Sequence, residues 1–348
     1  MWNTIRQFID QLHPLIDNHT SAMQPSRRAT HAGSWYSSSG RTLDAELTQW
    51  LAAVTSDEDF APPITGCKAI IAPHAGYSYS GPAAAWAYKS IDTTDIKCVF
   101  ILGPSHHVYL DGCALSNCEQ YETPLGELPL DLQVIRDLRD TGEFEDMDIQ
   151  TDEDEHSIEM HLSYVRKVFE NSDISIVPVL VGAISKDKEA AYGQILAPYL
   201  AREDTLFVIS SDFCHWGTRF SYTYYYPEPL PSNTPGIRLS RSGPPPSTLS
   251  SRPIHESISD LDHEAMQLLT IPPGSAVNAH QEFASYLGRT KNTICGRHPI
   301  GVLLGALSVL EQDETHSVKI KWVRYEQSSQ CFNIRDSSVS YASAYISF

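Results

Sequence analysis

Apolar residues in this chain alternate between short unbroken runs and stretches where they recur every three or four positions. The runs at 68–72, 99–103, 174–181, 206–210 and 318–325 predict strands. Helical spacing appears at 43–54, where Leu43, Leu47, Trp50, Leu51 and Val54 share a face. It returns over 83–89, 132–138, 160–169, 186–201, 258–269 and 300–310. Strands alternating with helices require crossover connections. The expectation is an α/β fold, one domain with a largely parallel central sheet flanked by helices.

Two segments stand outside that rhythm. Residues 1–25 read as an N-terminal extension that is helical, with Ile5, Phe8, Ile9, Leu12, Leu15 and Ile16 at helical spacing and Pro14 limiting its run. The α/β domain then spans 26–348, interrupted at 227–253 by a stretch dense in Pro, Ser and Gly around Pro244, Pro245 and Pro246. With few apolar residues to bury, that stretch reads as a flexible surface loop. The acidic run 143–155 reads as a solvated loop.

Composition narrows the class. The chain has 348 residues, 41% of them hydrophobic, enough for a substantial core, and a formal charge of -18 that argues against nucleic-acid binding and an anionic-membrane surface. Seven scattered cysteines include no CxxC pair, as expected of a reducing compartment. No secretory leader or membrane span is read, so the expected location is cytoplasmic, with the nucleus also open.

The chemistry gathers where the strands end. Three apolar runs lead into His74, into His106 and His107, and into Asp212, Cys214 and His215. Side chains beyond the carboxyl ends of separate strands meet in one crevice. His74 and His106 therefore read as metal ligands, and His107 as their support. Asp212, three residues before His215, reads as the carboxylate that orients a general acid/base imidazole. Cys214 reads as a buried small hydrophobe. Cys295 precedes a helix with Pro299 in its first turn, and Arg297 adds positive charge; both favour thiolate and make it a metal ligand or redox-active residue. His156 and Glu159 fall on one helix face as supporting groups, at spacings that do not match the H-E-x-x-H zinc signature. Tyr222, Tyr224, Tyr225 and Tyr226 read as packing and surface residues. The chain lacks a Walker loop, a dinucleotide fingerprint and a Gly-x-Ser-x-Gly elbow, which weakens nucleotide-dependent and serine-hydrolase readings.

Several ordered motifs carry a family resemblance: His31-Ala32-Gly33-Ser34-Trp35-Tyr36, Ile71-Ala72-Pro73-His74-Ala75-Gly76-Tyr77, Gly103-Pro104-Ser105-His106-His107, the run from Glu153 through His156 to Glu159, the run from Ser210 through His215 to Gly217, and Cys295-Gly296-Arg297-His298-Pro299. Together they resemble the Memo family, mediators of cell motility. The resemblance implies a fold similar to class III extradiol ring-cleavage dioxygenases, whose iron is held by two histidines and a glutamate. His74 and His106 match the two histidines, His215 matches the catalytic histidine, and Cys295 falls where the dioxygenases carry their carboxylate. A thiolate moves preference from Fe(II) toward Cu(I) or Zn, and argues against ring cleavage.

The resemblance further implies iron or copper binding, with zinc also open, together with redox signalling, cell motility and regulation of the cytoskeleton. The implied partners are signalling proteins and phosphotyrosine-containing peptides, yet the sequence shows no Arg/Lys cluster that would mark a phosphate pocket. Three readings result: a metal-dependent redox protein, a phosphotyrosine-peptide scaffold without catalysis, and a non-haem iron ring-cleavage dioxygenase using some other carboxylate, such as Glu159, as its hard ligand.

Overall fold

The apolar runs become the inner strands of a nine-stranded sheet in the computed structural model, which describes residues 24–243, 246–312 and 317–348. The helix expected within 1–23 lies outside the described residues, as do Pro244 and Pro245. In chain order the strands are β1 (Gln24–Arg27), β2 (Cys67–Ala72), β3 (Cys98–Pro104), β4 (Cys113–Ser116), β5 (Cys118–Tyr121), β6 (Leu128–Pro129), β7 (Phe144–Met147), β8 (Ser175–Val181), β9 (Thr205–Ser210), β10 (Asp212–Trp216), β11 (Tyr224–Tyr225), β12 (Ile237–Arg238), β13 (Lys319–Gln327) and β14 (Ser338–Ser347). The helices are α1 (Gly40–Ala53), α2 (Tyr77–Lys89), α3 (Leu132–Asp140), α4 (Ile149–Asp154), α5 (His156–Val168), α6 (Lys186–Leu200), α7 (Ile254–Leu268), α8 (Ala276–Thr290) and α9 (Arg297–Gln312).

The sheet order is β10-β14-β2-β9-β3-β8-β4-β7, with β13 also paired to β14. Strands β2, β9, β3 and β8 run parallel, in register at Ala69 with Phe207, Leu102 with Ile209 and Phe100 with Val177. Every residue of β2, β3 and β9 is buried, which is why their sequences are largely apolar: both faces of these strands are covered. The flanks turn antiparallel, so the sheet as a whole is mixed. Strands β13 and β14 follow one another with no crossover helix between them, and such neighbours pair antiparallel.

The acidic run 143–155 is not a solvated loop. It forms β7 and α4, and Asp152, Glu153 and Glu155 are buried. Burial is tolerated because Arg27, itself fully buried, reaches Asp152 at 3.0 Å and Glu159 at 2.7 Å, while Tyr121 and Ser116 donate to Asp152. This network ties β1 to the start of α5.

A second, smaller apolar cluster joins Cys214, Trp216, Tyr222, Tyr225 and Tyr226 to Ile254 and Ile258 of α7. Cys214 is fully buried, as expected of a small hydrophobe. The described part of 227–253 contributes β12, which pairs with β11, and a 3-10 turn at Ser247–Ser250. Among the described residues no helix is long and apolar enough to cross a membrane.

One core imidazole makes stability depend on pH. His161 is fully buried on α5, its Nδ1 lies 2.8 Å from the Tyr88 hydroxyl, and its Nε2 has no hydrogen-bond partner among the described residues. Burial pushes its pKa down to about 3, so the folded chain keeps it neutral while the unfolded chain protonates it below about pH 6.5. Stability should therefore fall by about 1.4 kcal/mol per pH unit as pH drops through that window. Equilibrium unfolding near neutral and near mildly acid pH checks this, and His161→Leu should remove one proton's worth of slope.

Candidate metal centre

The carboxyl ends of β2, β3 and β9 deliver the groups that the sequence placed there. His74 follows β2 in a turn pinned by Asp212, whose Oδ1 accepts from the backbone N–H groups of His74 (2.8 Å) and Ala75 (3.3 Å). Its Nδ1 lies 2.6 Å from the hydroxyl of Ser210, the last residue of β9, and that hydroxyl donates to the Ser157 carbonyl at 2.7 Å. With its own proton so committed, Ser210 Oγ accepts from Nδ1–H, and the Nε2 lone pair of His74 is left facing the cavity.

His106 is locked in the same tautomer by a carboxylate. Glu155 Oε1 takes Nδ1–H at 2.9 Å and Oε2 takes the His106 backbone N–H at 2.7 Å. Burial pushes the Glu155 carboxyl up, but the hydrogen bonds from His106 outweigh it and hold the pKa at about 2. Glu155 also caps α5, accepting from Ser157 N at 2.8 Å, so one carboxylate sets both the helix start and the imidazole. A carboxylate on the far nitrogen of an imidazole is the usual support of a metal-binding histidine.

His156, the first residue of α5, completes the group. Its ring stacks on His106 at 4.3 Å between centroids, and one side-chain nitrogen from each of His74, His106 and His156 lies within 4.8 Å of the others. Burial and the neighbouring His106 hold the His156 pKa down at about 3, and burial lowers that of His74 as well, so both rings present lone pairs. Cys295 adds sulfur, with Sγ 3.2 Å from His74 Nε2.

Three sequence readings change here. His156, read as support, stands with His74 and His106 as a possible donor. Asp212 does not hydrogen-bond His215. That imidazole is instead held by the backbone, with Nδ1 2.9 Å from Phe213 O and 3.2 Å from Thr293 O, while Thr293 Oγ1 accepts from the His215 backbone N–H at 2.8 Å. The Asp212 carboxylate is spent on the backbone N–H groups of the His74 loop. For Cys295, burial raises the pKa well above the usual thiol value, with the Asp212 charge adding to it and the Arg297 charge opposing it, so without a metal the sulfur is a thiol and not a thiolate.

The supporting residues divide. His107 is exposed, its ring 5.9 Å from that of His156. Glu159 points at the N-terminal arm, where it accepts from His31 N and lies against His31 Nδ1 (both 2.9 Å), Tyr36 OH (2.7 Å) and Arg27 Nη1 (2.7 Å). Its oxygens are committed there, so Glu159 is not turned toward the histidine cluster as a hard ligand. Sequence reading missed Ser210, Glu155, Thr293 and Trp35, whose ring lies 4.5 Å from that of His156. The signal for Glu155 was its place directly before a histidine that opens a helix.

His74, His106, His156 and His215 line one open cavity of about 600 Å³ together with Trp35, Tyr79 and Arg219. A Memo-like protein family model matches residues 27–345. Protein MEMO1 of Danio rerio is 49% identical over 91% of this chain and 95% of its own length. The Homo sapiens Protein MEMO1 is 46% identical over the same shares, and the Caenorhabditis elegans Protein memo-1 homolog is 41% identical over 91% of this chain and 81% of its own length. Among solved structures, an uncharacterized protein JW3007 from Escherichia coli K12 aligns at a TM-score of 0.41 and 13% identity, covering 78% of this chain and 98% of that one. By the extent of the family match and the identity to these relatives, the chain belongs to the Memo family.

Proposed function

We propose that the chain holds one transition-metal ion through His74, His106 and His156, with Cys295 as a fourth donor, and that it serves as a metal-dependent redox protein. The observation that carries this reading is the tautomer lock: Ser210 and Glu155 each occupy an Nδ1, leaving Nε2 lone pairs on two rings that meet a third. Imidazole with sulfur suits copper, iron or zinc, and iron or copper would supply a Lewis-acid and electron-transfer centre when bound. His215, with its Nδ1 facing carbonyls, keeps Nε2 for proton transfer within the same cavity. By family resemblance the role is redox signalling in cell motility and cytoskeletal regulation, in the cytoplasm.

Competition between a chelator and the protein under anaerobic conditions tests the donor set. Cys295→Ser should weaken Cu(I) binding more than Fe(II) binding, because only the soft ion gains from sulfur. Equal loss for both ions would remove Cys295 from the site.

One observation favours a second reading, a scaffold for phosphotyrosine-containing signalling peptides. Arg219 is exposed and lines the cavity with no acidic partner among the described residues, its guanidinium 4.4 Å from the Phe220 ring centroid, and an exposed Tyr79 lines the same cavity. Under that reading Arg219→Ala weakens a phosphotyrosyl peptide by about tenfold or more, the scale of a lost charge-assisted hydrogen bond, and leaves metal content unchanged.

A further inference from the structure

A second cavity lies beside the metal centre at the same end of the sheet. It measures about 510 Å³ and is bounded by the start of α6, the end of α8 and the segment that leads into α9. Its apolar wall includes Phe283 and Leu287. Its polar wall is cationic: Lys186, Lys291 and Arg297 all line it, in a chain whose formal charge is -18.

None of these three cations has a carboxylate partner among the described residues. Among the described residues, exposed Lys186 reaches the amide oxygen of Gln281 through Nζ, Arg297 Nη1 lies 3.4 Å from the Ile294 carbonyl, and exposed Lys291 makes no side-chain hydrogen bond or ion pair. Glu189, the buried acid of the cavity, is already claimed by two imidazoles, with Oε2 2.6 Å from His280 Nε2 and Oε1 2.6 Å from His298 Nδ1. Lys291 also occupies the residue after α8 in the left-handed region, at φ 55°, where a glycine would be cheaper. The backbone there accepts a cost that a lysine side chain does not relieve locally, and that side chain lines the cavity.

We propose that this cavity is a ligand site for an organic phosphate monoester, whose dianionic head is taken by Lys186, Lys291 and Arg297 and whose apolar group rests on Phe283 and Leu287. Three cations without a carboxylate partner match a group carrying close to two negative charges better than they match a carboxylate. The proposal stands apart from the metal reading, although the two sites share a segment. Between Lys291 and Arg297 that segment carries Thr293, which holds His215, and Cys295, which faces His74. A bound phosphate monoester would thereby touch the chain that supports the metal centre.

Isothermal titration of the full chain with n-butyl phosphate, inorganic phosphate and hexanoate tests this. The expected result is one butyl phosphate per chain, bound more tightly than either other probe. In the Lys186→Gln/Lys291→Gln double variant its affinity should fall by about tenfold or more, and in His106→Ala it should be unchanged. Four results would overturn the proposal: no binding to the wild type, binding indifferent to the double variant, hexanoate bound as tightly as butyl phosphate, or binding lost with His106→Ala, which would place the anion at the metal centre.

Discussion

Glu155→Gln should weaken metal binding at the histidine cluster by about 10–100-fold while the chain stays folded, the scale seen when the group behind a metal-binding histidine is removed. The carboxylate now accepts from three N–H donors: the His106 backbone, His106 Nδ1 and the Ser157 backbone. An amide in its place has one acceptor oxygen, so its NH2 must confront an N–H donor and turn away. His106 then loses either its ring anchor or its loop anchor, and the free Nε2 is no longer held toward His74 and His156. The backbone cost is about 1–3 kcal/mol, that of one unpaired buried donor, and unfolding curves will separate it from the metal effect. Chelator competition on folded protein gives the affinity. An unchanged value would mean that His106 is not a donor.

Arg27→Met should be the most destabilising single change in the domain, at about 3–5 kcal/mol. Arg27 is fully buried and serves two carboxylates, Asp152 at 3.0 Å and Glu159 at 2.7 Å, and its Nη2 also donates to the Glu155 carbonyl at 3.0 Å. Removing the guanidinium strands two buried acids. Burial already raises the pKa of Asp152, and only Arg27 together with hydroxyl donors opposes it. In the variant, both carboxyls should take up protons at higher pH, so its deficit should shrink as pH falls toward 4 on the ordinary carboxylate scale of about 4. Denaturant unfolding at neutral and acid pH reads both the loss and its pH dependence. A loss under about 1 kcal/mol would show that the network is not holding the N-terminal arm.

Most of the inner sheet was legible in the sequence because strands buried on both faces must be continuously apolar. The run 99–103 lies inside β3, and 206–210 inside β9. Strand β14 was not read, because Ser338, Ser340 and Ser343 interrupt it; all are buried, and Ser343 is satisfied by donating to the Ala83 carbonyl at 2.7 Å. Helix α2 was read only from residue 83, yet it begins at Tyr77. Gly81 and Pro82 hide its first turns, and the glycine is there because a Cβ would sit 2.5 Å from the Trp50 ring.

At the site, residue types at strand ends identified His74, His106 and His215, whereas partners were misassigned. Asp212 was matched to His215 by proximity in sequence, but on β10 it faces the turn after β2. His156 joins the cluster only because α5 starts beside the β3 loop, a tertiary fact with no local signature. The cationic cavity is likewise assembled from α6, the end of α8 and the α9 approach, so no basic run announces it.

Elemental analysis of metal bound per chain, after anaerobic loading and desalting, tests the central claim most directly. The account predicts one ion per chain in the wild type and near-complete loss in His74→Ala, His106→Ala and His156→Ala, with each variant still folded by circular dichroism. Wild type and all three variants carrying the same metal content, or none, would contradict it.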